Sequence, residues 1–153
     1  MVKNETLSKF MLEEHGKILI LLEDFKKNAK SSDAADYFKK LRWKQENHVL
    51  AEEKAIMILT KEGEMSSKLK STMLTILKQH DDLRDLIKKI QDKLQRNFDH
   101  YEENIKTFLE LMKIHINLEN KSFYPVLDKE LDDKQKKVML TKIREIIIGN
   151  IRA

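Results

Sequence analysis

The chain has 153 residues, three glycines, one proline and no cysteine, and its thirty basic against twenty-six acidic side chains give a net charge of +4. That length suits one domain, and the lack of cysteine excludes a disulfide framework, a thiolate zinc site, an iron–sulfur cluster and a cysteine nucleophile. Few turn formers and many charged residues mark an all-α protein of long amphipathic helices, and lysine pairs such as Lys26-Lys27 and Lys39-Lys40 lie among acids, as on solvated helix faces rather than a nucleic-acid-binding stripe.

Helix 1 is predicted from about Thr6 to Ala29, with Met11, His15, Ile18, Leu22 and Phe25 stepping by four and three along one face. Ser31-Ser32-Asp33 offers an N-cap for helix 2, which runs to about Thr60 with Leu41, His48, Glu52, Ala55 and Leu59 inward, and Lys61 to Met65 breaks it. Ser66-Ser67 restarts the pattern, and Leu69, Met73, Leu77, His80, Ile87 and Leu94 carry helix 3 to about Gln95. Asn97 is expected to cap helix 4, where Phe108, Leu111, His115, Leu118 and Phe123 face in until Pro125 ends it. A fifth helix, about 132–151, bears Val138, Ile143, Ile146 or Ile147, and Ile151, and should pack on the outside or one end.

Short connections make successive helices antiparallel, which predicts an up-down-up-down four-helix bundle over about 5–128 plus the C-terminal helix, all within one domain of 1–153. Apolar runs such as Ile146 to Ile148 are far short of the roughly 20 residues of a membrane span. The first residues carry no apolar stretch of the secretory kind. The expectation is a cytoplasmic protein with neither membrane nor nucleic acid as partner.

Four histidines fall at one level of that bundle. At about 1.5 Å per residue, His15, His48, His80 and His115 all stand roughly 24 to 28 Å from the same end. His80 follows His15 by 65 residues and His115 follows His48 by 67, so the chain reads as two similar helical hairpins. Glu52 and Glu119 each lie four residues after a histidine, on the same face of the helix. Two imidazoles and one carboxylate from each half converging on the centre suit a pair of cations, with the carboxylates bridging. Nitrogen and oxygen donors of this kind favour iron, with manganese or zinc as possible substitutes. The ferritin-like Glu-x-x-His motif is absent, because Leu12, Gln45, Leu77, Asn97 and Met112 stand three residues before the five histidines.

With histidine on helix 1, His-x-x-x-Glu on helix 2, histidine on helix 3 and His-x-x-x-Glu on helix 4, the chain resembles the hemerythrin-like (HHE cation-binding) domain family. The resemblance extends to Glu14-His15, Glu52-Glu53, Gln79-His80-Asp81-Asp82-Leu83-Arg84 and Phe123-Tyr124-Pro125, and covers at least residues 10 to 128. It implies a non-haem di-iron centre bridged by Glu52 and Glu119, with terminal nitrogens from His15, His48, His80 and His115. It also implies dioxygen or another small diatomic or peroxide ligand, and a role in oxygen binding, oxygen sensing or iron handling rather than enzymatic turnover. The oxygen carriers of the family place a further histidine one turn after the helix-3 histidine, where this chain has Arg84, which cannot ligate iron. That departure keeps a di-iron enzyme acting on peroxide or nitric oxide as an alternative.

A metal-free helical interaction module is the remaining reading, and it is the weaker one because buried carboxylates without cations are costly. His100 stands far from the histidine layer and is expected at the surface. Arg84 is expected to reach solvent or pair with Asp81 or Asp85. Tyr37, Tyr101, Tyr124 and Trp43 are read as packing residues, and Met11, Met73 and Met112 as core filler.

Overall fold

The computed structural model describes residues 6–62, 65–96 and 102–149, and within them all regular structure is helical. α1 spans Leu7–Asn28, α2 Ala34–Glu62, α3 Ser67–Gln95 and α4 Glu102–Leu118. A π-helical turn, Glu119–Phe123, joins α4 directly to α5, Tyr124–Glu130, and α6 follows at Asp133–Gly149. No described helix is long and apolar enough to cross a membrane.

Side-chain caps set two of the starts. The Thr6 hydroxyl accepts from the Lys9 N–H at 3.0 Å, and the Ser66 hydroxyl accepts from the Leu69 N–H at 3.1 Å, each satisfying one of the donors a helix N-terminus leaves free. Asn97, His100, Tyr101 and Ile151, and the Gly63-Glu64 break, lie outside the described residues.

The apolar faces meet in two clusters. One gathers Phe10, Met11, Ala55, Leu59, Ile76, Phe123, Leu127, Met139 and Ile143. The other gathers Ile18, Phe25, Phe38, Leu41, Leu83, Ile87, Phe108 and Met112. α1, α2 and α3 each contribute to both, with the histidine in between, as Met11 and Ile18 flank His15 and Ile76 and Leu83 flank His80; α4 fills the second cluster, and Leu118, Phe123 and Leu127 beyond His115 pack into the first. α1 packs on α2, α2 on α3, α3 on α4, and α6 lies mainly along α2.

Three details depart from the periodicity. Pro125 does not end helix 4; it sits in the first turn of α5, where a proline has no N–H to waste, and the helix runs on to Glu130. Leu77, Leu94, Leu111 and Leu118 are only half-buried, while Ile76, Leu83, Ile90, Ile105 and Met112 fill the core beside them. On α6, Ile143 and Ile147 are buried as expected, whereas Val138 is exposed and Met139, one residue on, takes its place in the packed face. Trp43 is also exposed, beside Leu21 and Lys40, and so is not the packing residue expected.

Candidate metal centre

The boundary between the two apolar clusters is a layer of six buried polar side chains. α1 supplies His15, α2 supplies His48 and Glu52, α3 supplies His80, α4 supplies His115, and Glu119 opens the π-helical turn; none is more than 2% exposed. All six residues read from the sequence thus come together in one place. Their nearest polar atoms fall into two overlapping sets, His15, His48, Glu52 and Glu119, and Glu52, His80, His115 and Glu119, each with four potential ligand atoms within 4.8 Å of one another.

The two carboxylates belong to both sets. Glu52 Oε1 lies 3.2 Å from His48 Nε2, 3.3 Å from His80 Nε2 and 3.9 Å from His115 Nε2. Glu119 reaches His15 Nε2 at 3.0 Å through Oε1 and His115 Nε2 at 3.4 Å through Oε2. The rings pair correspondingly, His15 with His48 and His80 with His115, each with centroids 4.9 Å apart.

The hydrogen bonds divide these side chains into an outer and an inner side. On the outside, His15 Nδ1 lies 2.6 Å from Asn120 Oδ1, His80 Nδ1 lies 3.0 Å from Glu53 Oε2, and His115 Nδ1 lies 2.7 Å from Gln79 Oε1. Oxygen acceptors at Nδ1 hold the proton there and turn the Nε2 lone pair inward. On the inside, Glu52 Oε1, both oxygens of Glu119, and Nε2 of His80 and His115 are buried and make no hydrogen bond. Unpaired buried polar atoms cost about 1–3 kcal/mol each, so five facing one another call for cations to satisfy them. The donor set therefore fits a pair of metal ions.

Tyr124 completes the layer. Its hydroxyl donates to Glu52 Oε2 at 2.5 Å, which leaves Oε1 to the imidazoles. A π-helical turn carries one residue more than an α-turn, so Phe123 and Tyr124 are both buried after Glu119, and Asn120 reaches His15. Tyr124 is thus more than the packing residue expected. Asn120, Gln79 and Glu53 carry no periodic signal either; each stands next to a predicted ligand, and Gln79 and Glu53 fall within stretches that resemble the family.

Arg84 does not enter the cage. Its guanidinium donates to Glu53 Oε1 at 2.5 Å and to Asp81 Oδ1 at 3.1 Å, so the pairing with Asp81 is present and Glu53 takes the place of Asp85. Glu53 thereby links the half-exposed Arg84 to the buried His80. The His80 contact, opposed by burial and reinforced by Arg84, holds the Glu53 carboxyl below its ordinary range. Removing an outer partner of a ligating imidazole typically costs about 10- to 100-fold in metal affinity. Glu53→Ala should show a loss of that size confined to the donor set that contains His80, and Arg84→Ala a loss below about tenfold, both read by chelator competition. The reverse ranking would show that Glu53 does not orient His80.

The protonation pattern of the metal-free layer follows from its geometry. Burial pushes Glu119 well up, and the neighbouring Glu52 charge adds to this, so the layer favours the neutral form of Glu119. Burial acts on Glu52 in the same direction, but the positive His48 and contacts with Glu119 and His115 outweigh it and hold Glu52 ionised. His80 loses charge stability on burial, yet Glu52 and Glu53 beside its two nitrogens push it up to about 9. His48 is likewise raised against burial by Glu52 and Glu119, whereas burial dominates at His15 and His115 and lowers both.

Metal can enter only as these protons leave. A folded-state pKa of about 9 against an unfolded value near 6.5 means that His80 contributes stability below about pH 6.5, which is lost as pH rises through 9. Over the same window the lost proton frees Nε2 for a cation. The thermal stabilisation given by added metal should therefore grow from pH 6.5 to 9, and calorimetry in buffers of differing ionisation enthalpy should show proton release on loading. A stabilisation that shrinks across that window would contradict the assignment.

Glu14, next to His15, is also buried but points elsewhere. Burial favours its neutral form, but Lys17 at 2.8 Å and Lys44 at 2.6 Å hold it ionised outside the cage.

The sequence model of one family, described as Hemerythrin HHE cation binding domain, matches residues 6–127. No curated protein and no solved structure matches the chain.

Proposed function

The chain belongs to the hemerythrin HHE cation-binding domain family, and from that membership we propose that it is a non-haem di-iron protein that binds dioxygen or a related small oxidant, for oxygen binding, oxygen sensing or iron handling. The observation that carries this reading is the pair of four-donor sets sharing Glu52 and Glu119. His15 and His48 would hold one iron and His80 and His115 the other, with Glu52 and Glu119 within reach of both. Manganese or zinc can substitute in the same donors. When bound, the iron pair supplies electrons and a Lewis-acidic position for a small oxygen-containing ligand.

The surrounding residues keep the donors in place. Asn120, Glu53 and Gln79 fix three imidazoles, Tyr124 fixes Glu52, and the apolar clusters above and below keep bulk water from the layer. The alternating order in which successive helices meet the two clusters supports an up-down-up-down antiparallel four-helix bundle carrying α6 on its flank. We take 1–153 as one such domain acting in the cytoplasm, with neither nucleic acid nor membrane as partner.

Arg84 favours one second reading. It lies outside the cage in the arms of Glu53 and Asp81, so no fifth imidazole saturates the His80 half, which suits a di-iron enzyme acting on peroxide or nitric oxide. Anaerobic loading of the metal-free protein with ferrous iron, a count of metal per chain and then admission of oxygen separate the two. A visible absorption that appears with oxygen and vanishes on deoxygenation supports binding or sensing. Irreversible oxidation with peroxide turnover supports the enzyme, and fewer than two irons per chain at saturation defeats the di-iron centre.

A further inference from the structure

A pocket of about 450 Å³ opens between α2 and α3 and runs inward to the layer of histidines. Arg84 and Lys88 stand at its exposed side; Leu83, Ile87, Gln45 and His80 form its buried wall. Gln45 is the unusual member. Its side chain is 1% exposed, and neither the nitrogen nor the oxygen of its carboxamide finds a hydrogen-bond partner in the protein. A donor and an acceptor buried side by side without partners are destabilising, and a leucine of similar size would not carry that cost.

We propose that this pocket is a binding site for a small molecule that both donates and accepts hydrogen bonds, of the hydrogen peroxide class, and that Gln45 selects it. The chemistry of the walls defines the ligand. A carboxamide offers an N–H donor and a C=O acceptor about one bond-angle apart, and a molecule with adjacent O–H and lone-pair functions satisfies both. Azide and nitric oxide only accept, so they leave Gln45 Oε1 unpaired. Leu83 and Ile87 disfavour larger polar molecules. A site built around such a pair discriminates sharply against analogues that lack one function. The inference rests on the di-metal reading for what the pocket serves, because His80 in its wall belongs to one donor set.

The test uses the full chain, isotopically labelled and loaded with redox-silent zinc, with metal content counted first. Hydrogen peroxide is titrated in, azide in parallel, and the side-chain amide resonances of Gln45 are followed by NMR. Those resonances should move saturably with peroxide. In Gln45→Leu the peroxide affinity, read from neighbouring backbone resonances, should fall about tenfold or more, while azide affinity changes less than about threefold. Metal content should stay the same, and the thermal midpoint should hold or rise, which guards against misfolding. Gln45 resonances that ignore peroxide, or equal peroxide affinity in Gln45→Leu, overturn the proposal. A chain that takes up no zinc overturns the di-metal reading alone, because the same resonances report on the pocket in the metal-free protein.

Discussion

Glu52→Ala should abolish tight metal binding at both donor sets, while His80→Ala should weaken only one. Glu52 lies in both donor sets, and its Oε1 comes within 3.3 Å of imidazoles from two different helices, His48 and His80. Its carboxyl is also held well below the ordinary range by His48, whereas burial pushes that of Glu119 up. Alanine therefore removes a donor from each ion together with the charge that offsets both. Because outer partners alone are worth about 10- to 100-fold, losing the shared donor should exceed about 100-fold in affinity. Glu119→Ala should approach that loss. Chelator competition with metal counting reads the result, and a Glu52→Ala protein that still holds two ions tightly would mean the carboxylate does not bridge.

Phe108→Ala should be the most damaging change that leaves every donor in place. Phe108 is fully buried in the cluster on the α1–α2 turn side of the histidine layer, its ring 6.1 Å from that of Phe38, which in turn lies 5.0 Å from Phe25. The three rings come from α4, α2 and α1, so one truncation opens a void where three helices meet. Phenylalanine-to-alanine changes in cores cost about 3–5 kcal/mol, and in a domain of this size each kcal/mol lowers the thermal midpoint by about 2–4 °C. The measurement belongs on metal-free protein, because bound metal would mask the loss by linkage. A cost below about 1 kcal/mol would show that the neighbours collapse into the space. Metal stoichiometry of the folded fraction should not change.

Much of the centre was legible because its signals are periodic. His48 with Glu52 and His115 with Glu119 obey a spacing of four, and the heights of the histidines follow from turn positions and helical rise, so His15, His48, His80 and His115 could be aligned before any coordinates. Thr6 and Ser66 likewise announce helix starts through their own chemistry. What could not be read depends on phase and on partners. An error of one residue separates Leu77 from Ile76 and Val138 from Met139, because 3.6 residues per turn lets an apolar stripe drift and a run of aliphatic residues fits two phases equally well. Gln79, Glu53 and Asn120 are ordinary polar residues whose role appears only when a particular ring nitrogen lies within reach. Arg84 departs from the family pattern in the sequence itself, but only the structure shows that Glu53 holds its guanidinium.

Between Glu119 and Phe123, spacing matters more than side-chain identity. Lys121, in the middle of the π-helical turn, is exposed and could be exchanged for many residues without consequence. Deleting it would not be innocuous, because each residue of a regular helix advances the chain by about 100°, and one fewer would swing everything from Tyr124 onward around the axis. The hydroxyl that steadies Glu52 would leave the layer, and Leu127 would leave its cluster. This stretch therefore behaves as a fixed-length spacer, indifferent to much of its wording and intolerant of a missing letter.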